Sequence, residues 1–212
     1  MYGKLECSII TIMKTILEKI DKNQNNTDII REAGRILKEG GLVAFPTETV
    51  YGLGADALNE DAAKKIYAAK GRPSDNPLII HITNMKALDK IVSEVPEKAV
   101  KVAEKYWPGP LTMIFNKSDI VPYGTTGGLD TVAVRMPVDE IAREVIDAGG
   151  GYIAAPSANT SGRPSPTTAQ HVAEDLTGRV DMIVDGGAVE IGVESTILDV
   201  TVEPPMILRP GA

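Results

Sequence analysis

Residues 70–82 read KGRPSDNPLIIHI and span the predicted end of a helix and the start of a buried strand. The glycine and proline near the start of this segment typically end a helix, and the apolar run at its end is typical of a buried strand. Alternation along that strand places Ile79 and His81 on the same face. A buried imidazole needs a partner, so His81 is either a satisfied core residue or a residue that faces a ligand.

Helices and strands alternate on both sides of this segment. Apolar periodicity predicts helices at residues 27–38, 60–70, 85–94, 96–106, 139–148 and 167–176, with Thr27 as the cap of the first. Short apolar runs predict strands at residues 42–45, 77–82, 111–115, 131–136, 152–156, 181–187, 195–200 and 206–209. Strands dominate the C-terminal third, which indicates some antiparallel pairing. The predicted fold class is α/β, a twisted open mixed parallel/antiparallel sheet with flanking helices.

The length of 212 residues favours one compact domain. Residues 27–212 are predicted to form this domain, and residues 1–26 a strand and helix extension packed on its core. No apolar run reaches the roughly 20 residues of a membrane-spanning helix, and the N-terminus shows no signal-peptide pattern. A cytoplasmic protein without a membrane partner is therefore expected.

Composition excludes several classes of protein. The chain has 22 Lys and Arg residues against 29 Asp and Glu residues, and its formal charge of −7 opposes broad adhesion to nucleic acid. Cys7 is the single cysteine, so an intrachain disulfide and a cysteine-based zinc site are both excluded. With only His81 and His171 as imidazoles, a metal site would depend on carboxylates.

Common phosphate-binding and hydrolase motifs are missing. The sequence contains no GxxxxGK[ST] loop, no GxGxxG between a strand and a helix, no HExxH and no GxSxG. Any anion site must therefore be built from side chains outside these motifs.

Several arginines stand next to prolines at the predicted ends of elements. Arg72, Arg163 and Arg209 each precede a proline directly, and Arg135 lies two residues before Pro137. A residue before proline favours extended backbone, and ligand sites in open α/β sheets gather at strand ends. The planar guanidinium fork suits carboxylate or phosphate. Alternatively, each arginine only solvates a turn or complements a helix dipole.

Three further stretches are rich in hydroxyl groups and small residues. They are FPTETVYGLGADA at 45–57, APSANTSGRPSPTT at 155–168 and VEST at 193–196. Each follows or begins a predicted strand and provides Ser, Thr or Asn donors. These could line a polar site, or they could be ordinary turns and helix caps.

Taken together, these stretches resemble the YrdC/TsaC family of threonylcarbamoyl-AMP synthases. The motifs that carry the resemblance run in order from about Leu42 to Gly211: FPTETVYGLGADA, KGRPSDNPL, WPGPLT, VAVRMP, APSANTSGRPS, ESTILD and LRPG. The resemblance implies a YrdC-like fold with a concave cationic cavity. Longer relatives continue past the LRPG motif into a second domain, so the chain is expected to be a single-domain member or a piece of a longer protein.

The resemblance implies an ATP-dependent nucleotidyltransferase. It joins L-threonine, bicarbonate and ATP into threonylcarbamoyl-adenylate and releases pyrophosphate, and the product serves threonylcarbamoyladenosine modification of tRNA. Mg²⁺ is expected to arrive with ATP, bound through phosphate oxygens and water, without metal ligands from the protein. tRNA and downstream threonylcarbamoyl-transferase proteins are the further partners of this interpretation.

The resemblance also implies the residues of the site. The family's catalytic signature matches Lys70, Arg72, Ser157 and Asn159. The ATP side would comprise Lys70, Arg72, Asn76, Thr131, Ser157, Asn159, Ser165 and Arg209. The threonine side would comprise Thr49, His81, Arg135, the backbone at Ala155, and Ser195.

Two alternative functions stay open at this point. One is an RNA-binding module of the same fold, although the acidic charge and an aromatic content of 4% weigh against it. The other is a carbamoyl-adenylate domain that acts on a different acceptor. A salt titration of RNA binding and competition by threonine would distinguish them from the synthase.

Overall fold

The computed structural model describes residues 14–21 and 24–212. The strands in this part of the chain are β1 (Ile16–Lys19), β2 (Val43–Phe45), β3 (Gly52–Asp56), β4 (Ile79–His81), β5 (Leu111–Asn116), β6 (Thr131–Arg135), β7 (Ile153–Ala154), β8 (Met182–Asp185), β9 (Thr196–Asp199) and β10 (Met206–Arg209). The helices are α1 (Thr27–Lys38), α2 (Glu60–Lys70), α3 (Met85–Ile91), α4 (Glu97–Tyr106), α5 (Tyr123–Thr126), α6 (Glu140–Ala148) and α7 (Ala169–Leu176).

The strands form one mixed sheet in the order β1-β8-β2-β3-β7-β4-β6-β5-β9-β10. Parallel pairs join β1 to β8, β8 to β2, β4 to β6 and β5 to β9. The remaining neighbours pair antiparallel. The predicted α/β class with a mixed sheet is confirmed, and the antiparallel pairs are distributed across the whole sheet rather than confined to its C-terminal third.

Helices cover both faces of the sheet. Successive side chains of a strand point to opposite faces, so one strand contributes to the cores on both sides. In β2, Val43 and Phe45 belong to the core beneath α1 and α6, whereas Ala44 belongs to the core beneath α2, α3, α4 and α7. Helices α1 and α6 cross closely at Gly34, where an added Cβ would lie 2.6 Å from the backbone of Ala148. The α1 and α6 core involves strands β2, β7 and β8, so these helices leave the β4, β5, β6 and β9 part of their face uncovered.

Local signals predict several element ends correctly. Helix α2 ends at Gly71 in the left-handed conformation, with φ 61°, as expected for a glycine cap. Thr27, the predicted cap of α1, is instead the first helical residue, and the N-cap position belongs to Asn26. The side chain of Asn25 accepts a hydrogen bond from the backbone N–H of Thr27, at 2.9 Å, and so satisfies one free donor of the first helical turn.

Strand β3 is an element that the sequence pattern does not predict. Its residues read GLGAD, and glycine and aspartate are depleted in strands. The glycine is required by packing instead of propensity, because a Cβ at Gly54 would lie 2.6 Å from the ring of Phe45. Close contact across the β2 and β3 pair therefore outweighs the low strand propensity.

The described part of the N-terminal extension contains a strand and no helix. This strand, β1, pairs with β8, and Ile16 and Ile20 pack against the α1 and α6 core. Cys7 and the strand predicted before this point lie outside the described residues, and the domain division at residue 26 stays a prediction. Within residues 14–21 and 24–212, none of the helices has the length and apolar character required to cross a bilayer.

Candidate active site

A cavity of about 300 Å³ opens over the part of the sheet that α1 and α6 leave uncovered. Its floor is formed by side chains on one face of the central strands, including Ile114, Ala133 and Ile197. The loops after β2, α2 and β7 and the β9 and β10 hairpin form its walls. The cavity therefore lies where sequence-distant segments meet, as expected for a ligand site in an α/β protein.

Most of the predicted site residues line this cavity. They are Thr49, Arg72, Asn76, His81, Arg135, Ala155, Ser157, Ser195 and Arg209. The predicted residues outside the lining are Lys70, Thr131, Asn159 and Ser165. Among the described residues of the lining, three arginines stand against one carboxylate, Glu194, so the lining carries more positive than negative groups.

Arg135 forms the buried end of the cavity. It lies at the end of β6 with only 4% of its surface exposed, and its Nη1 donates to the hydroxyl of Thr49 at 2.9 Å. Its Nη2 lies 2.7 Å from Oε1 of the equally buried Glu48. Neither Nη2 nor the two carboxylate oxygens makes a directional hydrogen bond within the described chain. Glu48 therefore balances the buried charge of Arg135, and the guanidinium lines the cavity without being left as an uncompensated charge.

His81 lies beside Arg135 with its ring facing the cavity. Its Nδ1 is 3.1 Å from the carbonyl oxygen of Ile79, which assigns the proton to Nδ1 and leaves Nε2 as an acceptor. Burial and the positive charge of Arg135 lower the pKa of His81 to about 3, so the imidazole is neutral at ordinary pH. His81 is therefore both a buried residue with a satisfied nitrogen and a residue whose ring lines the cavity.

Arg72 follows the C-terminal end of α2, and its side chain makes one long hydrogen bond. Its Nη2 is 3.4 Å from the carbonyl oxygen of Pro77, and its buried Nε has no hydrogen-bond partner within the described residues. Burial lowers the pKa of Arg72 from its usual value. A desolvated guanidinium with unused donors is suited to bind an anion.

Lys70 reaches a neighbouring loop instead of lining the cavity. Its Nζ donates to the backbone carbonyls of Ser157 and Asn159, the latter at 2.6 Å. Burial, together with the positive charge of Arg72, lowers the pKa of Lys70 to about 8. The ammonium therefore fixes the loop that carries Ser157 into the lining.

The other predicted residues outside the lining also contact loops or strands. The side chain of Asn159 donates to the carbonyls of Thr160 and Arg163, at 2.9 and 2.8 Å. Thr131 begins β6, on the cavity face but beyond the lining. Arg163, although it precedes a proline, pairs with Asp175 of α7 and lines a separate hollow.

The open end of the cavity contains a second arginine and glutamate pair. Nη1 of Arg209 donates to Oε2 of Glu194 at 2.8 Å, and the hydroxyl of Ser165 donates to Oε1 at 2.8 Å. Arg209 also donates from Nη2 to the carbonyl of Ser195, at 2.9 Å. Ser165 thus reaches the site through Glu194.

Glu48 and Glu194 were not predicted from the sequence. Both lie in motifs that were selected for their hydroxyl groups, PTET and VEST. An acidic residue beside hydroxyl-bearing residues gives no sign of its arginine partner, since that partner lies on a strand distant in the sequence. Within the described ranges, no group of three or more His, Cys, Asp or Glu side chains is arranged to hold a metal ion.

Comparison with known proteins identifies the family. The Sua5/YciO/YrdC family model, described as "Telomere recombination", matches residues 35–211. Threonylcarbamoyl-AMP synthase of Pyrococcus abyssi is 55% identical over 202 residues, covering 95% of this chain and 58% of that protein. The enzyme of that name from Bacillus subtilis is 52% identical over 203 residues, covering 94% and 59%.

A solved structure supports the same assignment. The crystal structure of P. abyssi Sua5 complexed with L-threonine has a TM-score of 0.87 and 56% identity, covering 95% of this chain and 58% of that one. The chain thus spans less than two thirds of the length of these relatives. The YrdC-like fold is confirmed, as is the resemblance carried by the motifs. The chain belongs to the Sua5/YciO/YrdC family.

Proposed function

We propose that this chain joins L-threonine, bicarbonate and ATP into threonylcarbamoyl-adenylate, with release of pyrophosphate, for the modification of tRNA. The observation that carries this proposal is that Arg72, Arg135 and Arg209, from three distant segments, line one cavity. The reaction brings together an amino acid carboxylate and a triphosphate, and guanidinium groups recognise both. A cytoplasmic location follows from the proposed role in tRNA modification.

Threonine would occupy the buried end of the cavity. Its carboxylate would bind the guanidinium of Arg135, which lines the cavity beside the hydroxyl of Thr49. The threonine hydroxyl would donate to the neutral Nε2 of His81. The backbone at Ala155 and the hydroxyl of Ser195 complete this end of the site.

The nucleotide would occupy the open end. Arg72, Arg209, Asn76 and Ser157 line it, and the two arginines would neutralise phosphate charge. Lys70 and Asn159 would act through the loop that carries Ser157.

Thr131 and Ser165 complete the proposed nucleotide side. Thr131 would contact a nucleotide that extends beyond the present lining, and Ser165 would contact it in place of Glu194.

The chemistry requires positioning more than a protein nucleophile. The threonine amine and bicarbonate form a carbamate with loss of water. A carbamate oxygen then attacks the α-phosphorus, and the bond to the pyrophosphate oxygen breaks. The arginines would hold these anions in line and stabilise the charge that builds on the phosphoryl oxygens and the leaving group.

Mg²⁺ would accompany ATP, but the lining does not form a cage for it. The single carboxylate among the described lining residues, Glu194, is already bound by Arg209 and Ser165. Magnesium commonly binds through phosphate oxygens and water, which neutralises phosphate charge. We therefore assign no protein ligand to the metal.

A pyrophosphate assay tests the proposal directly. The purified chain, given ATP, Mg²⁺, bicarbonate and labelled threonine, should release pyrophosphate and form a labelled adenylate, and valine should replace threonine poorly. An unmatched hydroxyl acceptor costs about 1 to 3 kcal/mol, so threonine should bind at least about fivefold more tightly than valine in calorimetry. Absence of threonine-dependent pyrophosphate would refute the synthase, and salt-sensitive RNA binding alongside it would support the RNA-binding alternative.

A further inference from the structure

Among the described residues that line the cavity, Glu194 is the single carboxylate. One of its oxygens accepts from the Ser165 hydroxyl and the other accepts from the Arg209 guanidinium, both at 2.8 Å. Ser165 and Arg209 are both residues of the proposed nucleotide side. A carboxylate thus occupies two donors that phosphate oxygens would use.

The negative charge of Glu194 also acts on Lys70 and Arg72, the other cations near the open end of the cavity. Burial lowers the pKa values of Lys70 and Arg72, and the negative charge of Glu194 opposes this lowering at both residues. Glu194 therefore stabilises the charged state of Lys70 and Arg72.

We propose that Glu194 is a resident anion, which holds the phosphate position between Ser165 and Arg209 and must leave it when a nucleotide binds. This inference rests on the proposed function and adds a residue that sets the selectivity of its nucleotide side. The side chain is 38% exposed, so it can turn toward water at a small cost. After displacement its charge remains close to the phosphates and repels them, which disfavours ligands of high charge density such as free pyrophosphate.

A structural role for the same carboxylate makes the opposite prediction. If Glu194 only orients Arg209, then removing its charge would loosen the guanidinium and weaken phosphate binding. If it is a resident anion, removing its charge would strengthen phosphate binding. The sign of the effect distinguishes the two roles, and a misfolded variant cannot produce a gain in affinity.

The experiment is calorimetry with inorganic pyrophosphate in the presence of EDTA at pH 7.5, on the wild-type chain and on Glu194→Gln. We expect Glu194→Gln to bind pyrophosphate about fivefold more tightly, with the gain shrinking as salt rises. Glu194→Ala should shift affinity in the same direction and serves if the glutamine variant is unstable. Glu203→Gln, which removes an exposed ion pair with Lys98 at a site outside the cavity lining, is the matched control and should not change the affinity.

The outcomes separate this inference from the function on which it rests. Unchanged or weaker pyrophosphate binding by both Glu194 variants, with normal binding by the wild-type chain, would overturn the resident-anion role alone. A wild-type chain that binds neither pyrophosphate nor ATP would overturn the proposed function and this inference with it.

Discussion

The cavity contains an arginine and glutamate pair at each end, and the two pairs are chemically alike. Arg135 and Glu48 lie 2.7 Å apart at the buried end, with 5% of each side chain exposed. Arg209 and Glu194 lie 2.8 Å apart at the open end, with 37% and 38% exposed. Distance does not separate the two pairs, whereas burial does.

Burial decides what each pair can do. A charged side chain at the buried end cannot reach water, so Glu48 and Arg135 each depend on the other for charge compensation. Breaking such a pair is strongly destabilising. A pair at the open end gains little from its contact, because water and salt compensate both charges. The buried pair is therefore suited to hold a fixed group in one orientation, and the open pair is suited to exchange one anion for another.

The largest expected effect is on the buried pair. Arg135→Ala leaves Glu48 as an uncompensated buried charge, so the free energy of unfolding should fall by about 3 to 5 kcal/mol, measured by urea denaturation. The double variant Arg135→Met with Glu48→Gln should recover most of this stability, while threonine-dependent pyrophosphate release stays lost. A single variant as stable as the wild-type chain would contradict the dependence of the two charges on each other.

A change in pH should have an intermediate effect, through Lys70. Because its pKa is lowered to about 8, the ammonium is charged below that pH and loses its proton as pH rises through it. Loss of this positive charge should weaken ATP binding by up to about tenfold between pH 7.5 and 9, measured by calorimetry at constant Mg²⁺. In Lys70→Met the affinity should be lower and independent of pH over this range, and a flat wild-type profile would exclude the role.

The smallest expected effect is on the open pair. Arg209→Ala should lower the free energy of unfolding by less than about 1 kcal/mol, because its ion pair with Glu194 is half exposed. ATP binding should still weaken in this variant, since a phosphate ligand loses its guanidinium. A loss of stability as large as that of Arg135→Ala would show that the two pairs do not differ as burial implies.

The sequence by itself determined the local elements and the family. Helix α2 with its glycine cap, the strand that ends at His81 and the mixed sheet all follow from propensity, periodicity and turn chemistry, which act over a few neighbouring residues. The ordered motifs carried the family resemblance. Most of the site residues that this resemblance implied line the cavity.

Only the tertiary structure decided which side chains of the site contact each other. Glu48 pairs with Arg135 and Glu194 pairs with Arg209 because the fold brings each loop glutamate to the end of a strand, and no local pattern specifies such a pair. For the same reason, Lys70 contacts the Ser157 loop instead of lining the cavity. Burial and charge balance depend on the whole packed chain, and they turn two similar ion pairs into a fixed site and an exchangeable one.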